Sequence, residues 1–194
     1  MTLPATGARL LREAIDYALA SADLVTPLLL AQPTPCAEWN LAMLLSHLSD
    51  SLDALTEGLT TGSVRLTAGP GAQPEAQPAD VRIRCGRLLS AIPATPADSL
   101  IAIADRDLTA GLLAYTGAIE ITVHGWDISV ACGSLRPIPD NLATPLLVTA
   151  AVLLPQAARE GLFAPTLEPS SPASPADRLL AFLGREAAWQ RGCR

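Results

Sequence analysis

The stretch least able to live at a surface runs from about Thr109 to Gly133. Its second half reads Gly-Ala-Ile-Glu-Ile-Thr-Val-His-Gly-Trp-Asp-Ile-Ser-Val-Ala-Cys-Gly from Gly117 onward. A segment this apolar must be covered by other elements, so the rest of the chain has to pack around it. Glu120 and His124 interrupt it four residues apart, and on a helix that spacing puts both on one face. Burying ionisable groups is costly unless they are paired or hold an ion. The chain has only two histidines, and the other, His47, also falls in an apolar run, Leu41 to Leu48. Two imidazoles and one carboxylate are the ligand set of a catalytic zinc site with one position left open. His47, Glu120 and His124 are therefore the candidate metal ligands and catalytic residues. The competing reading is simpler: a Glu–His hydrogen bond on a helix face, and a satisfied core histidine at position 47.

The segment's surroundings follow from periodicity. Leu11, Ile15, Ala18, Ala22 and Val25 form one stripe of a helix over about 5–25. Asn40 is placed to cap a second helix from Leu41 to about Leu59, with Leu41, Leu44, Leu48, Leu52 and Leu55 as its buried row. Thr61 to Ala79 is Gly- and Pro-rich and reads as a long loop. Asp80 is the candidate cap of a third helix, buried along Val81, Cys85, Leu88 and Ile92. Leu100 to Ala104 fits either an extended piece or a helical turn. The key helix spans Thr109 to Ala131, with Gly133 as its left-handed terminator. A fifth helix begins near Asp140, a Pro- and Ser-rich linker covers Pro155 to Ser174, and Ser174-Pro175-Ala176-Asp177 opens a short terminal helix that stops at Gly184. Sustained alternation of period two is absent. The expectation is an all-α single domain over 1–194, a four-helix bundle with irregular loops and a short C-terminal helix; facing helices of bundles can pool ligands.

Composition narrows the function. The chain has 194 residues and a net charge of −6, which argues against nucleic acid and anionic membrane as partners. No apolar run approaches a membrane span and the N-terminus lacks a signal peptide's pattern, so a cytoplasmic location is expected. All 13 basic residues are Arg, which leaves no lysine for Schiff-base chemistry. The cysteines at 36, 85, 132 and 193 form no C-x-x-C pair and read as reduced thiols. Arg82, Arg84 and Arg87 read as a solvated face before they read as an anion clamp.

Several motifs together carry a resemblance: Thr34-Pro35-Cys36-Ala37-Glu38-Trp39-Asn40, then His47, Glu120-x-x-x-His124-Gly125-Trp126-Asp127, Glu160-Gly161-Leu162-Phe163, and the run Asp177 to Arg185. The sequence resembles the mycothiol-dependent maleylpyruvate isomerase N-terminal family, within the DinB-like metal-binding superfamily, over most of its length. The resemblance implies a DinB-like four-helix bundle with a divalent metal, usually zinc, on His47, Glu120 and His124, and mycothiol or a similar small thiol as cosubstrate. Asp127 could then orient His124, and Cys36 could border the site, although a buried structural thiol is the preferred reading for Cys36. The isomerase carries a further C-terminal domain, which a chain of this length is expected to lack.

The expected function is activation of a low-molecular-weight thiol by a bound metal, for S-transfer to, or isomerisation of, an electrophilic small molecule. The alternatives are a thiol-independent metal-assisted lyase, cyclase or hydrolase, and a non-catalytic metal- or ligand-binding module. A homodimer is expected only by analogy with other bundles.

Overall fold

The computed structural model describes residues 4–37, 39–65, 77–153, 164–169 and 172–190, with side chains from residue 7 onward. Residues 66–76 of the Gly/Pro-rich stretch, most of the 155–174 linker, Glu38, the Glu160–Phe163 motif and Cys193 lie outside them. The chain is mostly helical: α1 (Pro4–Ala22), α2 (Leu41–Thr61), α3 (Pro78–Ala91), α4 (Ala110–Ala131), α5 (Asp140–Leu153) and α6 (Pro175–Phe182). The segment expected to need cover is α4, and it is buried on nearly every face. It packs most extensively on α1, then on α2 and α5, while α2 also packs on α3.

Local chemistry sets the ends of these helices. Asn40 caps α2 through a bond from the Met43 amide at 2.9 Å, and Thr109 caps α4 through the Leu112 amide at 3.2 Å. α6 opens on a reciprocal box in which Ser174 and Asp177 each bond the other's amide. The third helix begins earlier than expected. Pro78 is already helical, and Asp80 accepts the Gln77 amide at 2.8 Å from inside the first turn, so it supports the cap rather than being it. The Leu row of α2 is inside as its spacing demands, Leu41, Leu44, Leu48 and Leu52 each being wholly buried. Removing such a side chain from water contributes about 1.5–3 kcal/mol.

A small sheet joins the helices. β1 (Ser63–Val64) pairs parallel with β2 (Leu100–Ile103), which pairs antiparallel with β3 (Arg106–Thr109). The undecided stretch at 100–104 is thus extended. Its hairpin turn holds Ala104 at a φ of 53°, a left-handed conformation unusual for alanine. The sheet lies at the end of α2 and leads directly into α4, fixing where the key helix starts.

Candidate functional site

Three side chains from two helices meet where α2 faces α4. His47 Nε2 lies 2.7 Å from Glu120 Oε1, and His124 Nε2 lies 3.1 Å from the same oxygen. The two imidazoles stand edge to face, with centroids 4.9 Å apart. Exposure is graded across the cluster: 37% for the His47 side chain, 26% for Glu120 and 7% for His124. The cluster is therefore reachable from the His47 side and closed behind His124. Ser51, one turn along α2 from His47, adds a longer bond to Glu120 at 3.4 Å.

Behind His124 lies a second layer. Asp127 is wholly buried and takes His124 Nδ1 at 3.0 Å. An ionised carboxylate only accepts, so Nδ1 carries a proton and Nε2 is the nitrogen turned toward Glu120 and His47. Asp127 also accepts Arg185 Nε at 3.1 Å on Oδ1, Arg185 Nη2 at 3.1 Å on Oδ2, and the Cys36 thiol at 3.2 Å. Asp127 is thus in direct contact with His124, the residue the resemblance implied it could orient. Cys36 is half-buried against this layer, with its sulfur 3.9 Å from His124 Nδ1. It borders the candidate site and is only partly buried, where a buried structural thiol was the preferred expectation.

The loop before α2 delivers two of these groups. Buried Thr34 donates to the carbonyls of Cys36 and Trp39 at 3.2 and 3.0 Å and accepts the Cys36 amide at 3.2 Å. Leu41 and Ala42 fasten the far end through amide bonds to Gln32 and Leu30. The tightened loop sets the Trp39 ring 4.7 Å from that of His47 and 6.4 Å from that of His124. The Thr-Pro-Cys-x-Glu-Trp motif is thus a device for presenting a sulfur and an indole to the cluster. Trp39 and Arg185 both lay in the quoted motifs without an assigned role. An arginine straight after a helix-ending glycine, in an apolar terminal helix, was the only local signal for Arg185.

Burial and pairing compete over the charges. Burial works to raise the Glu120 carboxyl, but the imidazoles of His124 and His47 hold it below the usual carboxylate range. Burial opposes a charged His124, yet bonds to Asp127, Cys36 and Glu120 raise its pKa well above the ordinary value. Asp127 is likewise lowered against the effect of burial, by His124 and Arg185. The Cys36 thiol is pushed up, chiefly by burial. Among the described residues, the arginines of α3 stand apart from this network. Arg82 pairs with Asp23 and Arg84 with Asp53, both at the surface, as expected for a solvated face.

The ligand atoms of His47, Glu120 and His124 all fall within 4.8 Å of one another. Tetrahedral ligands about 2.1 Å from a zinc ion stand about 3.4 Å apart. Each imidazole nitrogen needs to part from the Glu120 oxygen, now at 2.7 and 3.1 Å, by less than roughly 1 Å to accept such an ion, and two nitrogens with one oxygen suit it chemically. Cys36, His124 and Asp127 also cluster within 4.8 Å. There, however, the Arg185 guanidinium already lies 3.0 Å from the sulfur and 3.1 Å from the carboxylate. Its charge fills the place a second cation would take.

Fold and site define a mostly helical protein in which two imidazoles and a carboxylate meet between two facing helices. Residues 11–129 match the family model described as the mycothiol maleylpyruvate isomerase N-terminal domain, and the chain belongs to that family. The crystal structure of the mycothiol-dependent maleylpyruvate isomerase aligns at a TM-score of 0.56 and 18% identity, over 76% of this chain and 68% of that one. A histidine-to-alanine mutant of that enzyme gives the same values. These structures are alike in fold. No curated protein matches the chain. Among the described residues no helix is long and apolar enough to cross a membrane.

Proposed function

We propose that this protein is an enzyme that binds a divalent metal, zinc by its donor set, on His47, Glu120 and His124, and uses it to activate a low-molecular-weight thiol of the mycothiol type against an electrophilic small molecule. The observation that supports this most is the convergence of the two Nε2 atoms on one Glu120 oxygen, at 2.7 and 3.1 Å, at a half-open surface. A metal bound there would favour the thiolate form of a coordinated thiol, the nucleophile, at neutral pH. The remaining tasks fall to the chain. Asp127 holds His124 with its proton on Nδ1, and the half-exposed His47 borders the open side. Trp39 offers an aromatic wall beside the cluster, able to cover an apolar electrophile. Family membership supports a mycothiol-type thiol as cosubstrate, and maleylpyruvate is one electrophile to try.

The test is metal content and thiol consumption measured together for wild type and His47→Ala. Mycothiol serves as the thiol, with maleylpyruvate and a bimane halide as electrophiles. Wild type is expected to retain close to one equivalent of zinc and to consume mycothiol. The variant is expected to lose zinc affinity by more than the roughly 100-fold typical of second-layer changes, and to lose turnover with it. Zinc-free wild type after incubation with zinc, or equal thiol consumption by the variant, overturns the proposal.

A further inference from the structure

Arg185 lies beyond the stretch that matches the family model, 149 residues along the chain from the Cys36 sulfur it touches. A helix ending brings it to the site. Gly184 has a φ of 74°, and its amide bonds the Ala181 carbonyl at 3.1 Å while the Arg185 amide bonds Leu180 at 2.8 Å. This pair of bonds is a Schellman turn, which needs a left-handed residue at the glycine position. The turn reverses the chain and drives the Arg185 side chain inward, where it is 9% exposed.

The guanidinium fits its surroundings closely. Nε and Nη2 span the two oxygens of Asp127, each at 3.1 Å. Nη2 also reaches the Cys36 sulfur at 3.0 Å, and Nη1 donates to the Leu183 carbonyl at 3.3 Å. A planar fork on a carboxylate fixes the carboxylate's rotation as well as its position. Asp127 in turn fixes the His124 ring through Nδ1 at 3.0 Å. We propose that Arg185 is a positioning residue for the candidate metal site: by clamping Asp127 it keeps the proton of His124 on Nδ1 and aims Nε2 at the place shared with His47 and Glu120. The proposal rests on the reading of that cluster as a metal site. It goes further by adding a residue from outside the matched family segment.

The chain's two histidines make the test direct. Nitrogen NMR of histidine-labelled protein then shows only two rings, assigned with His47→Ala. The comparison is among wild type, Arg185→Met, Arg185→Lys and the surface control Arg178→Met, with zinc affinity measured by competition against a chromophoric chelator. Arg185→Met is expected to bind zinc roughly 10- to 100-fold more weakly and to lose the protected Nδ1–H signal of His124, while its helical circular dichroism is retained. Arg185→Lys keeps a charge but cannot span both oxygens, so a partial loss is expected; it also serves if the Met variant does not fold. Arg178→Met is expected to match wild type. Unchanged zinc affinity and an unchanged Nδ1–H signal in both Arg185 variants overturn the positioning role and leave the metal site standing. Wild type that binds no zinc overturns the metal site itself, while the His124 signal in metal-free protein still reports on Arg185.

Discussion

Asp127→Asn, made in metal-free protein, probes the inner layer most severely. The wild-type carboxylate is wholly buried and accepts from His124, Cys36 and Arg185. An amide of the same shape loses one acceptor and the charge, and strands the Arg185 guanidinium, itself only 9% exposed. Breaking a buried pair so that one charge is left uncompensated costs about 3–5 kcal/mol. In a domain of this size each kcal/mol lowers the melting temperature by roughly 2–4 °C, so a fall of roughly 6–20 °C is expected. Urea unfolding of both proteins in the presence of a chelator measures the difference. The pH dependence has a definite sign. Asp127 titrates lower in the folded state than its ordinary value, so its contribution is present above the unfolded pKa of about 3.9. It is lost as pH falls below that value toward the folded one. The gap between wild type and variant should therefore be full at pH 7 and shrink below about pH 4. A gap under about 1 kcal/mol at pH 7 would place the pair with exposed salt bridges and refute the reasoning.

Metal uptake should release protons, because the raised His124 pKa means Nε2 must give up its proton to a metal. Calorimetry in buffers of different ionisation enthalpy should find about one proton displaced at neutral pH, with zinc affinity rising as pH rises; release of none would contradict the ligand assignment. Gly184→Ala should lose about 1–2 kcal/mol to the left-handed backbone alone, and more because an added Cβ would lie 2.7 Å from that of Ala164. Zinc binding should weaken with it, since Arg185 follows in the turn, and a variant of wild-type stability in urea would show the turn to be unimportant.

Sequence revealed most where the physics is local. The apolar rows of α1 and α2, the caps at Asn40 and Ser174, and the one-face placement of Glu120 and His124 all follow from spacing within a few turns. The β2–β3 hairpin did not announce itself, because Ala104 takes the left-handed turn position without the Gly, Asn or Asp that normally signals one. Asp80 misled for the opposite reason: an acid three residues into a helix looks like its cap when the true cap is Gln77. The inner layer was the least legible part. Nothing in the neighbourhood of Cys36 or Arg185 says that loop, α4 and the chain's far end will meet, since their contact is decided by the packing of whole helices. Family motifs put those residues in view, and only distances gave them roles.

The close seam between α1 and α4 has a consequence for the donor set. A Cβ on Gly125 would lie 3.0 Å from the Ala18 backbone and 3.1 Å from the Tyr17 ring, and one on Gly7 would lie 2.9 Å from the Gly111 carbonyl. With α4 seated so tightly, Glu120 and His124 ride on a frame that has no slack to open or close. Were the cluster to hold a metal as proposed, differences in ionic radius would be absorbed on the opposite wall, by rotation of the His47 side chain against the indole of Trp39, and that ring pair would be the compliant jaw of an otherwise stiff vice.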